Sequence, residues 1–356
     1  MAKLDIAHWR LQNQSLARTK FTRPSEVVAW MGAVQAQDYL GALWAIGLRS
    51  QNAVEADIEK ALADKTIIRT WPMRGTLHFV AAADIRWMLE LLTPRIVNGM
   101  KRRLQVHFGL DEATFGRSKE LFIRALQGGK QLTRPAMYKV LEAGGIPAGE
   151  MRGLHILSRL AQDGVICFGA REGKQPTFAL LDEWSPTAKR MERDASLAEL
   201  AGRYFTSHAP ATLQDFIWWS GLTVAEAQAA LEMAKPQLVK EVIAGQTYWL
   251  ASSQPSPKEK SPKAYLLPSY DEYTVAYKDR SAVLNPLYAK QSGNGIFSPT
   301  IVIDGQVAGT WKRTIKKDAL LITLSPFEKP SKPEVQAVAD AADRYGKFLG
   351  ATVVLQ

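Results

Sequence analysis

The chain has 356 residues, of which 46% are hydrophobic, and a formal net charge of +10. This length can bury a large core and predicts two or three domains, and the charge favours a polyanionic partner, nucleic acid before a membrane surface. The single cysteine, Cys167, excludes an internal disulfide and lies in an apolar run that predicts a buried thiol. The histidines lack metal-ligand spacing and no apolar run could span a membrane, so we expect no metal, no cofactor and a cytoplasmic, nucleoid-associated protein.

The first segment, residues 1–110, is predicted to be a winged-helix-like module. Apolar periodicity predicts helices over 4–19, after a Ser25 cap, over 39–48 and over 53–63. Two β-rich runs then flank Met73-Arg74-Gly75, and helices followed by a strand pair are the order of a winged helix-turn-helix. A basic helical connector follows over 84–108.

Residues 111–187 and 188–252 are predicted to be a second and a third winged helix. In each, three helical patterns precede two strand runs, and Thr133 is a plausible cap of a helix in the second. The second module ends in a basic tip, residues 169–174, between its strands. The topology predicts the fold only, because winged helices also serve as protein-interaction modules.

The remaining chain is predicted to be a linker and a β-rich domain. Residues 252–263 are rich in Pro, Ser and Lys, which is typical of a linker. Residues 264–356 contain several strand runs, a hairpin signal at Asp304-Gly305 and a closing helix over 335–349. The expected fold class is therefore α+β, with about three tandem winged helix-turn-helix modules and a C-terminal β-rich region.

Gln35 and Gln37 flank a single small residue, and Asp38 follows directly. Side chains two apart on a helix point in nearly opposite directions, so the two amides can act together only in an extended or irregular segment. There they could hold a water, grip a polar substrate edge or place partial negative charge beside a developing cation. The structural interpretation, that they satisfy buried backbone groups, is the commoner one for such a pair taken alone.

Four stretches together resemble the winged-helix DNA-binding-domain family that includes the AlkZ-like DNA glycosylases, which unhook azinomycin-type interstrand crosslinks. The stretches are Val34-Gln35-Ala36-Gln37, Trp71-Pro72-Met73-Arg74-Gly75-Thr76-Leu77-His78, Leu267-Pro268-Ser269-Tyr270-Asp271-Glu272-Tyr273 with Lys278-Asp279-Arg280-Ser281, and Gly309-Thr310-Trp311-Lys312-Arg313. They occur in the family's order along nearly the whole chain. The resemblance implies a C-shaped assembly that cradles duplex DNA, with a hairpin that probes the duplex; residues 301–311 are our candidate for that hairpin.

The same resemblance assigns the catalytic pair to Gln35 and Gln37. Some related proteins have aspartate in place of the second glutamine, whereas this chain keeps the Gln form. We therefore expect a monofunctional DNA glycosylase acting on alkylated purines such as N7-alkylguanine, including crosslinks. The cationic base is already a good leaving group, so the enzyme has to steer water and stabilise an oxocarbenium-like sugar. No lysine adjoins the motif to form a Schiff base, and a crosslinked base cannot be flipped freely out of the stack.

Several other side chains are candidates for supporting the reaction or binding DNA. Asp38 could be a base or a helix cap, and His78 could support catalysis or be a satisfied core histidine. The residues predicted to contact DNA are Arg74, Arg152, His155, Arg159, Lys312 and Arg313, with Lys316 and Lys317 beside the last two. The alternative for Arg74 is a salt-bridged scaffold residue, and the alternative for the last four is an exposed basic strand end that deters edge pairing. Asp271, Glu272, Asp279 and Arg280 are predicted to form an ion-pair network. We expect duplex DNA as the partner of a monomer.

Two other classes of function stay open at this point. A winged-helix transcriptional regulator would bind specific sequences, usually as a dimer, and would leave the glutamines structural. Against it, only one of the three predicted recognition helices is basic. A protein-interaction scaffold would suit the acidic helix of the third module, which carries Glu226 and Glu232, but leaves the net charge unexplained.

Overall fold

The computed structural model describes residues 5–18, 21–251, 262–315 and 319–356, and the chain forms two compact α+β units. One unit combines Met1–Glu59 with Leu197–Gln356, and the other is Lys60–Ser196. The predicted division into 1–110, 111–187, 188–252 and 264–356 is finer than this and stays a prediction. Most of the predicted linker, residues 252–261, lies outside the described residues.

The N-terminal part contains, in chain order, α1 (Ile6–Asn13), α2 (Pro24–Met31), β1 (Val34–Gln35), α3 (Tyr39–Arg49) and α4 (Glu55–Ala63). The helix predicted over 4–19 is shorter than expected, and its predicted apolar residue Leu4 lies outside the described residues. It ends at Asn13 because the Gln14 side chain turns into the core and Ser15 takes a left-handed φ of 60°. The Ser25 cap is wrong: Pro24 is already the first helical residue, and Arg23 occupies the cap position.

The unit Lys60–Ser196 contains, in chain order, β2 (Ile67–Met73), β3 (Thr76–Ala81), α5 (Ile85–Phe108), α6 (Glu112–Leu126), β4 (Leu132–Thr133), α7 (Arg134–Ala143), α8 (Arg152–Gln162), β5 (Ile166–Phe168), β6 (Thr177–Leu180) and α9 (Leu181–Trp184). The predicted strand pairs are confirmed: β2 pairs with β3, and β4, β6 and β5 form an antiparallel sheet in that order. Thr133 is at the predicted cap position, without a side-chain hydrogen bond to the helix. Apolar faces of α6, α7 and α8 meet this sheet around Phe122, Leu157 and Phe178.

The rest of the chain contains α10 (Arg193–Ser207), α11 (Leu213–Ser220), α12 (Val224–Ala234), β7 (Leu238–Ile243), β8 (Gln246–Ala251), β9 (Ala264–Leu267), α13 (Glu272–Val275), β10 (Thr300–Ile303), β11 (Gln306–Ile315), β12 (Leu320–Pro326), α14 (Lys332–Leu349) and β13 (Val353–Leu355). The five last strands form one sheet in the order β13-β12-β11-β10-β9, against which α14 packs. The C-terminal β-rich region is thus confirmed. The sequence predicted neither β13, which pairs in parallel with β12, nor the single turn α13.

The hairpin between β10 and β11 forms where the Asp304-Gly305 signal predicts it, with φ of 47° and 82° at these two residues. Its tip is enclosed. A Cβ on Gly305 would lie 2.8 Å from the Cβ of Ala7, and the Tyr273 hydroxyl donates to the Gly305 carbonyl at 2.8 Å. The packing of Gly305 argues against residues 301–311 as the hairpin that probes DNA, whereas Gln306 beside it is exposed; the assignment stays a prediction.

Candidate active site

Gln35 is held in an extended segment between two helices. Gly32 ends α2 with a φ of 76°, which turns the chain into β1. The backbone N–H of Gln35 donates to a carboxylate oxygen of Glu272 at 2.9 Å, and the Gln35 side-chain oxygen accepts from the backbone N–H of Gln37 at 3.0 Å. Because a backbone N–H can only donate, the second bond identifies which end of the Gln35 amide is oxygen. A carbonyl oxygen has two lone pairs, so the Gln35 oxygen can accept a second hydrogen bond.

The two glutamines differ in exposure. Gln35 is 6% exposed, whereas Gln37 is exposed. Because β1 ends at Gln35 and Gln37 lies in a bend before α3, the spacing of two residues does not separate the amides as it would on a helix. The pair thus has one member fixed in the protein and one reaching solvent. Such an arrangement can hold a small molecule or water between a rigid and an accessible amide.

Asp38, the acid directly after the pair, caps α3. Its backbone is extended, and its carboxylate accepts from the Gly41 N–H at 3.1 Å. The negative charge also offsets the partial positive charge at the helix N-terminus. Of the two roles predicted for Asp38, this geometry supports the cap.

Behind Gln35 lies a buried polar cluster that the sequence did not reveal. The second carboxylate oxygen of Glu272 accepts from the Trp219 indole N–H at 3.1 Å and lies 3.6 Å from Nε2 of His208. Burial is the main cause of the lowered pKa of His208. Glu272 and Trp219 are 237 and 184 positions from Gln35 in the chain, so no local pattern could connect them.

The predicted ion-pair network of Asp271, Glu272, Asp279 and Arg280 is wrong for Asp271 and Glu272, which have other partners. Asp271 instead forms a buried bidentate pair with Arg49, at 2.7 and 2.9 Å, and both side chains are about 1% exposed. Arg280 donates from Nε to the Thr274 carbonyl. The charges along this segment do not predict the partners of Asp271 and Glu272, because both carboxylates bind residues far away in the chain, whereas Asp279 accepts locally from the Ser281 N–H.

Arg74 and His78 lie in the other unit, at the hairpin between β2 and β3. Arg74 and Gly75 take φ values of 52° and 70°, which confirms the tight turn. His78 is fully buried; its Nδ1 donates to the Thr76 carbonyl at 3.0 Å and its Nε2 is 3.3 Å from the Arg74 guanidinium. This is the environment of a satisfied core histidine. It supports the structural alternative for His78.

The three predicted DNA contacts of α8 all have intramolecular partners. Nε of Arg152 donates to the Pro147 carbonyl at 3.0 Å, and the ring of His155 packs on a neighbouring phenylalanine. Arg159 is bonded to Glu112 and Asp163, and its side chain is 12% exposed. Their role in DNA binding stays a prediction. It is least supported for Arg159, because that side chain is already paired with two carboxylates.

Lys312 and Arg313 lie on β11. Lys312 is exposed, whereas Arg313 is half-buried and donates to the hydroxyl of Tyr345. Lys316 and Lys317 lie outside the described residues. Within the described ranges, no group of three or more His, Cys, Asp or Glu side chains is placed to hold a metal ion. None of the helices described there is long and apolar enough to cross a membrane.

The α+β fold and the paired-glutamine segment are those expected of an AlkZ-like DNA glycosylase. The chain belongs to this family: its sequence model, DNA glycosylase AlkZ-like, matches residues 28–348. It is therefore an enzyme that acts on DNA, as the resemblance implied. The chain is 25% identical to an interstrand DNA cross-link repair glycosylase of Streptomyces sahachiroi. The alignment covers 96% of this chain and 95% of that relative. The fold of the chain is similar to the solved structure of the DNA glycosylase AlkZ of Streptomyces sahachiroi, with a TM-score of 0.80, 23% identity and 100% of both chains covered.

Proposed function

We propose that the protein hydrolyses the N-glycosidic bond of alkylated purines in duplex DNA, N7-alkylguanine lesions in particular, and unhooks interstrand crosslinks. The observation that carries the proposal is the Gln35–Gln37 segment, in which a buried, oriented amide adjoins an exposed one. The relative from Streptomyces sahachiroi, named for interstrand cross-link repair, supports the crosslink as a substrate.

The chemistry needs little from the protein beyond orientation and charge stabilisation. An N7-alkylated purine is cationic and leaves readily, so positive charge moves onto the sugar as the bond breaks. In our proposal, the remaining lone pair of the Gln35 oxygen and the exposed Gln37 amide hold the attacking water and face the developing oxocarbenium ion. Dipoles that are already oriented toward that charge stabilise the transition state without the free-energy cost of reorienting during the reaction.

The proposal includes hydrolysis without strand cleavage. No lysine occurs in the sequence between Lys20 and Lys60, so none adjoins the glutamines to form a Schiff base with the sugar. It also includes action on an unflipped base, because a crosslinked base is tethered to both strands.

We further propose that winged-helix modules hold the duplex. The order α6, β4, α7, α8, β5, β6 is that of a winged helix, and α10, α11, α12, β7, β8 repeat its helices and wing. The exposed Lys312 suits contact with a phosphate. The count of three modules, the C-shaped arrangement and contacts from Arg74, Arg152, His155, Arg159 and Arg313 stay parts of this proposal.

The test uses two duplexes, one with a single N7-methylguanine and one with a nitrogen-mustard-type crosslink. Base release is scored as alkali-labile sites, and unhooking as conversion of the crosslinked species into single strands on a denaturing gel. We expect wild-type release of both, and at least about a 100-fold lower rate in Gln35→Ala, Gln37→Ala, the loss typical of removing oriented polar groups from a site.

Gln336→Ala is the matched control. Gln336 is an exposed glutamine of α14 whose amide is bonded to Asp340, so its loss should leave the rate unchanged. A wild-type protein that binds plain duplex but releases neither lesion would contradict the proposed substrates. Unchanged release in the double variant would instead place the catalytic centre elsewhere.

A further inference from the structure

We propose that Glu272 is the positioning residue of the glutamine pair, an inference that rests on the function proposed above for Gln35 and Gln37. Its carboxylate accepts the Gln35 backbone N–H at 2.9 Å, across 237 positions of sequence. Both residues are nearly enclosed, at 1% and 6% exposure. A charge-assisted bond in such surroundings is stronger than one in water, so it fixes the peptide of Gln35 firmly.

Glu272 is not placed to act on substrate itself. One carboxylate oxygen is occupied by Gln35 and the other by the Trp219 indole N–H at 3.1 Å. With 1% of its surface exposed, the group has no access to an attacking water or to a nucleotide. Its influence on the reaction therefore passes through Gln35.

The influence is transmitted by two consecutive hydrogen bonds. Glu272 fixes the Gln35 peptide, and the Gln35 side-chain oxygen in turn accepts the Gln37 N–H at 3.0 Å. The first bond thus sets where the backbone of the pair lies, and the second sets how the Gln35 amide is turned. Without the bond from Glu272, the backbone that positions both glutamine amides is no longer fixed. A catalytic group misplaced by about 1 Å can lower the rate 100-fold.

The support behind Glu272 is itself rigid. Its backbone carbonyl accepts from the Gln14 side chain at 3.2 Å, and the preceding residue, Asp271, is paired with Arg49. The Trp219 ring packs against Gly32, where a Cβ would lie 3.4 Å from it. Glu272 thus connects the segment of Gln35 and Gln37 to α11 through Trp219, and its neighbour Asp271 is connected to α3 through Arg49.

His208 shows which substitution can preserve this contact. The Ser207 hydroxyl donates to the Arg203 carbonyl at 2.7 Å, so the Ser207 oxygen must accept from Nδ1 of His208 at 2.8 Å. Nε2 of the neutral ring then presents a lone pair toward Glu272, 3.6 Å away. A glutamine at 272 could therefore keep its oxygen on the Gln35 N–H and turn its NH2 group toward His208, while the Trp219 indole N–H loses its acceptor.

Two substitutions at position 272 separate the hydrogen bond to the Gln35 N–H from the negative charge of the carboxylate. Glu272→Gln keeps the acceptor for Gln35 and removes the charge. Glu272→Asp keeps the charge but withdraws the oxygens by about 1.5 Å, the length of one C–C bond, which breaks a 2.9 Å hydrogen bond. We expect single-turnover release from N7-methylguanine duplex to fall about 10- to 100-fold in Glu272→Asp, and to stay within about 5-fold of wild type in Glu272→Gln. The affinity for lesion DNA, measured by anisotropy, should change less than twofold in both.

The single-turnover rate constant is the informative quantity, because a partly misfolded sample lowers the amplitude and leaves the rate constant of the folded fraction unchanged. Hydrogen–deuterium exchange of the Gln35 amide gives a second readout that needs no activity. We expect that amide to exchange at least about 10-fold faster in Glu272→Asp than in wild type or Glu272→Gln, since only Glu272→Asp leaves it without its acceptor.

The outcomes separate this inference from the function on which it rests. A wild-type rate and wild-type exchange in Glu272→Asp would overturn the inference. So would a wild-type rate in Glu272→Asp together with a reduced rate in Glu272→Gln, because the charge rather than the contact would then matter. If the wild type releases no lesion, the proposed function fails, and the exchange experiment alone then decides whether Glu272 holds Gln35.

Discussion

Asp38 could act as a helix cap or as a general base. Two substitutions at this position, Asp38→Ala and Asp38→Asn, separate these roles. The Asp38 carboxylate accepts the Gly41 N–H at 3.1 Å at the start of an 11-residue helix. Asparagine caps helices about as well as aspartate, whereas alanine does not. We therefore expect Asp38→Ala to lower the free energy of unfolding by about 1 kcal/mol, and Asp38→Asn to lower it by less than about 0.5 kcal/mol, the part due to the helix dipole.

These values correspond to a melting temperature about 2–4 °C lower for Asp38→Ala, which differential scanning fluorimetry can resolve. In both variants the single-turnover rate of base release should stay within about 5-fold of wild type, because a cap does not transfer protons. A loss of 100-fold or more in Asp38→Asn, at an unchanged melting temperature, would refute this reasoning. Such a loss is the size expected when a general base is removed.

Four further predictions concern other parts of the chain. Arg49→Met leaves the buried Asp271 carboxylate without its partner, and we expect urea denaturation to show a loss of about 3–5 kcal/mol; a loss below 1 kcal/mol would contradict a buried ion pair. Burial, and then the nearby Arg103, lower the pKa of His155, so the stability this residue contributes is complete above about pH 6.5 and is lost as pH falls through the lower folded-state pKa. His155→Gln should therefore lose less stability than wild type between pH 7 and 5, and an equal loss would refute the assignment. Burial also raises the pKa of the Cys167 thiol, so a thiol reagent at pH 8 should react with it only after unfolding in guanidinium. If the exposed Lys312 contacts a phosphate, Lys312→Ala should reduce the salt dependence of DNA binding by about 0.9 in the log–log slope, and an unchanged slope would exclude that contact.

Local sequence patterns predicted most of the elements. Alternation and turn signals found both strands around Arg74-Gly75 and the hairpin at Asp304-Gly305, because these conformations depend on φ preferences of a few adjacent residues. The short connection from α2 to α3 was also predicted to be extended or irregular, as the spacing of Gln35 and Gln37 requires if they are to act together; it contains the strand Val34–Gln35 followed by a bend. The motifs that resemble the family identified the enzyme class, which the family match confirms.

Predictions about partners of charged groups were less successful. Asp271 was assigned to nearby residues in the chain, yet its partner is Arg49, 222 positions away. The hairpin of β10 and β11 was predicted correctly as a hairpin, but only the structure shows that Ala7 and Tyr273 pack against Gly305 at its turn. A turn signal specifies backbone conformation and carries no information about what covers the turn.

Local sequence patterns were enough to predict the α+β class, a non-helical glutamine segment and the family. Only the tertiary structure decided that Glu272 holds Gln35, that Asp38 caps α3 and that His78 is a core residue. The physical reason is the range of the interactions. Backbone preferences and apolar periodicity act over a few residues and are written in the local sequence, whereas a buried hydrogen bond between residues 237 positions apart exists only after the chain has folded.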